Sequence, residues 1–479
     1  MHRQFCRAKS RRKRGLNGVG TGVVILAMTG CALRENAHAP VHAPLDAPDA
    51  FTQTGSAAIT SHWWTAFNDA ALNACIERAL DSNFTLLAAW ERLQTARALA
   101  RRERADIYPS LDAEAGATFS DDRSERRVHL GLAAGYELDL WGNIKSKREA
   151  QQLLADASLA DYQTSALSLS AELTTAWYDL CEARTQANLL KTQVETNEKV
   201  LALLDARFAA GLIRSADVLR QRQLLEATRE QAIVIDARIT LARHQIAVLQ
   251  GRLPRAVVDE PAAGLPALPP LPDTGLPATL VGRRPDVQRA HFRLRAADRE
   301  LATAISERYP RIQFSASLRT LAERPADLFS TWLNTLATEL AAPLLTGGRL
   351  AANVQRGEAE RAEHLAEYRQ QVLTAFEEVE NALLNERQQH ARVQSIERQL
   401  TLAQQTYEQL HVQYANGVTD YLAVLAALSG HQRLQREQSS AQLELIKFRI
   451  ALYRALAGSM TTPRERDTTE PEEDAPDHG

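Results

Sequence analysis

Few side chains in this sequence are candidates for chemistry, and the first of them is a cysteine. Cys31 follows Met28-Thr29-Gly30, and small residues before a cysteine are the pattern at which a bacterial signal peptidase cuts and the thiol then carries diacylglycerol. Ahead of it, Arg3, Arg7, Lys9, Arg11, Arg12, Lys13 and Arg14 precede a short apolar stretch from Val19 to Met28. That order is the basic and apolar part of an export signal. A basic run alone would also suit a nucleic-acid patch, but the apolar segment directly behind it favours export. Met28 departs from the usual Leu, and Ala32 is not the Asp that retains lipoproteins at the inner membrane. Cys6 leaves with the signal. Cys75 and Cys181 fall in helical patterns and read as buried free thiols, with a disulfide in an oxidising compartment as the alternative. No phosphate-binding glycine loop, His-Glu-x-x-His, paired-cysteine metal motif or nucleophile elbow follows Cys31. The expectation is a protein with no cofactor, no metal and no catalytic residue.

Charge and composition narrow the class further. The whole chain of 479 residues carries −3, but residues 1–30 hold seven basic side chains and no acid. From Cys31 onward the charge is therefore −10, which argues against a nucleic-acid binder. A mean hydropathy of −0.31 and 6% aromatics argue against repeated membrane-spanning helices. The 22 glycines and 18 prolines are about 8% of the chain, against roughly 12% in average usage. A chain so poor in breakers must contain long uninterrupted elements.

Those elements come in two copies. Tyr108-Pro109 recurs as Tyr309-Pro310, and Leu140-Trp141-Gly142-Asn143 as Leu345-Thr346-Gly347-Gly348. Arg207-Phe208-Ala209-Ala210-Gly211 recurs as Gln413-Tyr414-Ala415-Asn416-Gly417. Between the copies, residues 253–277 are rich in proline and read as an extended linker. Residues 143–210 contain neither Gly nor Pro, which as one helix is about 100 Å long. Residues 349–416 match them in length, interrupted by Gly357 alone. Leu173, Leu180, Ala187, Val194, Leu201 and Phe208 recur every seven residues, beside Ala176, Ala183, Leu190 and Leu204, a stripe broken at Asn197. Val379, Val393, Leu400, Tyr407 and Tyr414 repeat the pattern, with a break at Glu386. Sustained heptads mean coiled-coil packing. Each long helix stops at a glycine, Gly211 or Gly417, and a second helix of about 40 residues returns, so each copy holds a helical hairpin.

The other periodicity is two. Leu111, Ala113, Ala115, Ala117 and Phe119 alternate with polar or small residues, as do Val128 to Leu140 and Ile312 to Leu318. A fourth stretch, around Thr331 to Leu345, alternates less regularly. Segments of about 10 residues with one apolar and one polar side suit a transmembrane β-barrel. A soluble antiparallel sheet with one wet face gives the same pattern. Export and the charged connections, residues 121–127 and 322–327, favour the membrane. Four strands cannot close a barrel, which takes at least about eight. Strands from other protomers must complete it, and arithmetic alone accepts two, three or more copies.

These residues resemble the TolC family of outer-membrane efflux ducts, in its OprM-like (NodT-type) lipoprotein branch. The resemblance covers Trp63 to Gly458. It rests on Trp64-Thr65-Ala66-Phe67-Asn68-Asp69 with Leu72, Asn83 and Arg92, on Leu138-Asp139-Leu140-Trp141-Gly142, and on Arg283-Arg284-Pro285-Asp286-Val287. Pro343 with Gly347-Gly348-Arg349 and the hairpin tips add to it. It implies a mainly α fold with a small β part: a homotrimer with four strands per protomer in a 12-stranded barrel, continued by a tunnel of long helices. The chain then divides into a signal (1–30), an extended segment (31–62), a first repeat (63–252), the linker (253–277), a second repeat (278–458) and an unstructured acidic tail (459–479). The family implies contact with a periplasmic adaptor at the tips, here Ala210, Gly211, Leu212, Gly417, Val418 and Thr419, and an inner-membrane pump of RND type. Aspartates that often close the periplasmic mouth in relatives are replaced here by Ala423 and Ala426, and His291 stands where an acid is usual. Asp217, Asp420 and Tyr421 are the candidates to line the mouth instead. For the two aspartates, the alternative is an ordinary helix-start carboxylate.

The function expected is passive export of drugs or other toxic small molecules, with protein secretion or a membrane-anchored coiled-coil scaffold as rivals. At the anchor, Cys31→Ser should abolish incorporation of radiolabelled palmitate while leaving export across the inner membrane intact.

Overall fold

The computed structural model describes residues 49–118, 127–257, 259–261 and 264–469. The export signal, Cys31, residues 119–126 between the first two strands and the last ten residues lie outside the described residues. The first copy runs α1 (Ala70–Ser82), α2 (Phe84–Ala105), β1 (Ser110–Thr118), β2 (Arg127–Leu138), α3 (Asn143–Ala209) and α4 (Ser215–Leu249). The second repeats it as α5 (Pro277–Arg283), α6 (Pro285–Ser306), β3 (Arg311–Ala322), β4 (Trp332–Ala341), α7 (Arg349–Ala415) and α8 (Tyr421–Leu456). The duplication is close: α3 and α7 are each 67 residues, and α4 and α8 are 35 and 36. No described helix is long and apolar enough to cross a membrane.

The long helices end as the sequence predicts. Gly211 and Gly417 have φ of 72° and 73°, the left-handed region open to a residue without Cβ. Around them the amide of Leu212 donates to the Arg207 carbonyl and that of Val418 to the Gln413 carbonyl, each at 2.9 Å. This bond closes the helix end on its orphan carbonyls.

The heptad stripe is buried where it is interrupted. Asn197 and Glu386, the two polar breaks, are both inside. Asn197 donates to the Thr228 hydroxyl at 3.0 Å and accepts from Gln432 at 3.1 Å, which ties α3 to α4 and α8. Glu386 of α7 takes the Arg449 guanidinium of α8 at 2.8 and 2.5 Å. Arg449 also donates to the carbonyls of Pro269 and Pro270. The proline-rich linker is therefore pinned to the helices rather than free, and it forms an isolated parallel bridge with the N-terminal segment at Ala57 and Pro272.

The family-like motifs sit at joints. Asp69 caps α1 through the amides of Ala71 and Leu72, both at 3.0 Å, and its other oxygen accepts from the Trp177 indole at 2.9 Å. Trp63, Trp64 and Phe67 fill the largest apolar core, where Trp63 stacks on Tyr453 of α8. Asn83 caps α2 and donates to the Leu249 carbonyl. Cys75 and Cys181 are free thiols in this core, and burial pushes them up to about 11 and about 12, which keeps them protonated and inert. The tail departs from expectation at its start. Thr462 is buried and bonded to Tyr162 at 2.8 Å, and a short helix α9 (Pro463–Thr469) follows, so residues 461–469 are structured.

Arg284 is buried between Asp286, at 2.6 and 3.0 Å, and Glu378, at 2.6 Å, and donates to the Ala455 carbonyl. Burial opposes the Asp286 charge, but the Arg284 guanidinium outweighs it and holds that carboxyl below its ordinary range. The stability this adds is complete above the ordinary carboxylate value of about 4 and is lost as pH falls through the lowered one. Arg284→Met should cost about 3–5 kcal/mol, chiefly by stranding the Asp286 carboxylate, since Glu378 keeps Arg454 at 3.7 Å; it reads as a lower melting temperature at pH 7 that converges on wild type in acid.

Candidate functional site: a two-faced sheet above paired hairpin tips

The four strands form one antiparallel sheet in the order β1-β2-β3-β4. The central seam joins the two copies, Leu138 pairing with Ile312 and Val128 with Ala322. Trp141 after β2 stacks on Tyr309 before β3 at 4.9 Å and donates to the Pro310 carbonyl at 2.7 Å. Asp139 accepts from the Lys145 amide at 2.8 Å and so opens α3 directly below the strand. The recurring Tyr-Pro and Leu-Asp-Leu-Trp-Gly residues are thus the hinge plate between sheet and helices.

One sheet face carries Leu111, Leu130, Leu132, Tyr136, Ile312, Phe314, Leu318, Trp332, Leu336 and Leu340, as the registers require. The other carries Asp112, Glu114, His129, Glu137, Gln313, Ser315, Ser317, Arg319, Thr335 and Glu339, with Leu321 and Leu333 among them toward the outer end. Among the described residues no second layer covers either face, although Thr320, at the outer end of the apolar one, is buried and donates to the Leu328 carbonyl in the β3–β4 connection. Leu336 is 81% exposed and Leu111 71%. A soluble sheet would bury its apolar face against a second layer. This one leaves it bare, and both outer strands keep an edge without a strand partner among the described residues.

At the far end of α3 and α7 the two hairpin tips pack on one apolar cluster. Leu204, Val218, Tyr421 and Val424 form its core, with Ile213, Tyr407 and Tyr414 around them. The Arg207 guanidinium lies over the Tyr414 ring at 5.1 Å. Leu212 and Val418 project from the tips, 72% and 75% exposed, beside Ala210, Gly211, Gly417 and Thr419. Tyr421 is buried and donates to Gln221 of α4 at 2.6 Å, and burial raises its hydroxyl above the ordinary tyrosine range.

The two mouth aspartates differ. Asp217 is 6% exposed and flanked by Arg220 at 3.6 Å and Arg214 at 3.9 Å, so its charge is balanced locally. Asp420 is exposed and caps α8 through the Ala423 amide at 3.1 Å. His291 packs on Tyr368, and burial together with Arg295 lowers its pKa. No group of three His, Cys, Asp or Glu among the described residues is placed to hold a metal. Sequence reasoning missed the buried roles of Asn197 and Glu386. Their signal was the break itself, since a polar residue in a heptad seam fixes register.

Residues 75–252 and 276–458 match the family described as outer membrane efflux protein. The chain belongs to this family. Among relatives, the pyoverdine export outer membrane protein OpmQ of Pseudomonas aeruginosa is 29% identical, over 84% of this chain and 88% of its own. The toluene efflux pump outer membrane protein TtgI of Pseudomonas putida is 28% identical, over 82% and 86%. The solved outer-membrane channel OprN superposes with a TM-score of 0.81 at 29% identity, covering 88% of this chain and 98% of that one. In an outer membrane efflux protein the bare apolar face meets lipid and the polar face meets water. Adjacent residues on β4 test that orientation. Leu336→Arg should cost about 2–4 kcal/mol near the bilayer midplane and sharply reduce accumulation in outer-membrane fractions, whereas Thr335→Arg should accumulate normally.

Proposed function

We propose that the protein is the passive exit duct of a tripartite efflux system, a homotrimer that carries drugs or other toxic small molecules outward from a periplasmic adaptor and an inner-membrane pump of RND type. The observation that carries this reading is the uncovered two-faced sheet with two open edges. In lipid each unpaired backbone group costs several kcal/mol, so the edges must be closed by further strands. Three copies give the twelve strands of a closed barrel with a wet interior. Val234, Leu241 and Val248 of α4 support the same assembly, since they form an exposed apolar row at seven-residue spacing, as a helix has when it meets a neighbour.

The tips are the adaptor contact. Small residues at Ala210, Gly211 and Gly417 let another hairpin approach, and the exposed Leu212 and Val418 supply the apolar surface. At the mouth, Asp420 contributes the free negative charge, repeated by symmetry, while Asp217 holds the tip together. Cys31 anchors the assembly to the membrane. The named cargoes of the relatives, pyoverdine and toluene, are small molecules, which favours small-molecule export over protein secretion.

The purified protein in a planar bilayer should conduct as a trimer. A coiled-coil scaffold would leave the membrane silent, and that outcome would overturn the duct. Asp420→Asn keeps the helix cap, because Asn caps as well as Asp, yet removes the charge. It should move the reversal potential in a salt gradient toward weaker cation preference, and an unmoved potential would remove Asp420 from the mouth.

A further inference from the structure

The polar face of the sheet contains an arrangement that the duct reading alone does not require. Glu114 of β1, Gly131 of β2 and Arg319 of β3 lie in one row across three strands. The Arg319 side chain lies flat over Gly131, and its Nη2 reaches Glu114 Oε2 at 3.0 Å. A Cβ at position 131 would stand 2.7 Å from the Arg319 Cγ, closer than atoms pack. Gly131 is itself buried, although Glu114 and Arg319 on either side of it are exposed. The next row repeats the device. The His129 ring lies over Gly116, in the space a Cβ there would take. Both long side chains lean along the wall toward β1 instead of standing off it.

Charge gives the arrangement its meaning. Asp112, Glu114, Glu137 and Glu339 are the acids of this face; Arg127 and Arg311 stand on it at the first positions of β2 and β3, and Arg319 is the arginine set within the wall itself. An exposed ion pair adds little to stability, so the crossbar is not explained as a fold stabiliser. We infer that Arg319, seated in the groove left by Gly131 and held by Glu114, sets the charge of the barrel's exit passage while keeping its bore clear. Three such crossbars face one another in the trimer. Each partly offsets the acidic wall, so anionic as well as cationic solutes can pass. This inference rests on the exit-duct reading.

Thiol labelling from outside tests it without involving the periplasmic mouth. Ser317 lies on the same face one row nearer the helices, so a reagent arriving from the outer side must pass the crossbar to reach it. Among the described residues Cys75 and Cys181 are buried, and in the duct reading Cys6 leaves with the signal and the Cys31 thiol carries lipid, so a thiol introduced by Ser317→Cys is the one to react, with the chain lacking that substitution as the control. Whole cells are treated with a cationic and an anionic methanethiosulfonate of similar size. Adding Arg319→Gln should speed the cationic reagent and slow the anionic one, each roughly threefold for an uncompensated charge about 7 Å away in water, fading in 1 M salt. Glu114→Gln should shift the pair of rates the opposite way, and the double variant should restore them. Gly131→Val should unseat Arg319 and shorten the longest polyethylene-glycol maleimide that reacts, and adding Arg319→Gln should recover it. If the introduced thiol is unreactive in every background, the polar face is not a passage and the duct reading falls. If it reacts but the cationic-to-anionic ratio is the same with and without Arg319, the duct stands and the crossbar proposal falls.

Discussion

Everything in this protein follows from where four strands can satisfy their backbone. A sheet with one apolar and one polar face, and no second layer, has a stable place only at a boundary between oil and water. There its outer edges have no water to bond, and a single chain cannot close them. The fold resolves this by repetition at two levels. Duplication within the chain supplies four strands instead of two, and copies of the chain supply the remainder. The helices obey the same logic, because each strand pair leads straight into a 67-residue helix, so any ring of strands is continued by a ring of helices.

Such long helices need help to stay in register, since a seam of leucines and alanines could slide by a heptad. The polar breaks supply it. Asn197 bonds to Thr228 and Gln432, and Glu386 bonds to Arg449. A slip by one heptad would leave each of them buried without a partner, at a cost of roughly 1–3 kcal/mol for a neutral group and more for a charged one. The Arg449 bonds to the carbonyls of Pro269 and Pro270 extend the same fixing to the segment that joins the copies.

Much of this was legible in the sequence, for physical reasons that differ from element to element. The long helices showed themselves through missing breakers and a seven-residue period, and their ends through Gly211 and Gly417. The strands showed themselves through period two, although β4 was blurred because Asn334 and Thr338 sit on its apolar face. What could not be read was which partner each polar residue would find. Asp217 and Asp420 look alike as acids near a helix start, yet one is buried between two arginines and the other is open. The seating of Arg319 on Gly131 was equally hidden, because it depends on the register of three strands drawn from both halves of the chain. The first residues of the tail looked unstructured by composition, and Tyr162 orders them through Thr462.

The seam between β2 and β3 has a consequence for how the molecule is made. Each helical hairpin closes on contacts local in sequence and can form soon after its residues emerge. The sheet cannot, because Leu138 waits for Ile312 and the loop between them spans the whole first hairpin and the proline-rich segment. Bringing such distant strands together is intrinsically slow, and loop-closure entropy opposes it until the pairing is made. During that interval the first strand pair exposes a greasy face and two raw edges in water. The duplicated fold therefore has a vulnerable phase in its biogenesis, in which half a sheet must be shielded until the second half of the same chain arrives.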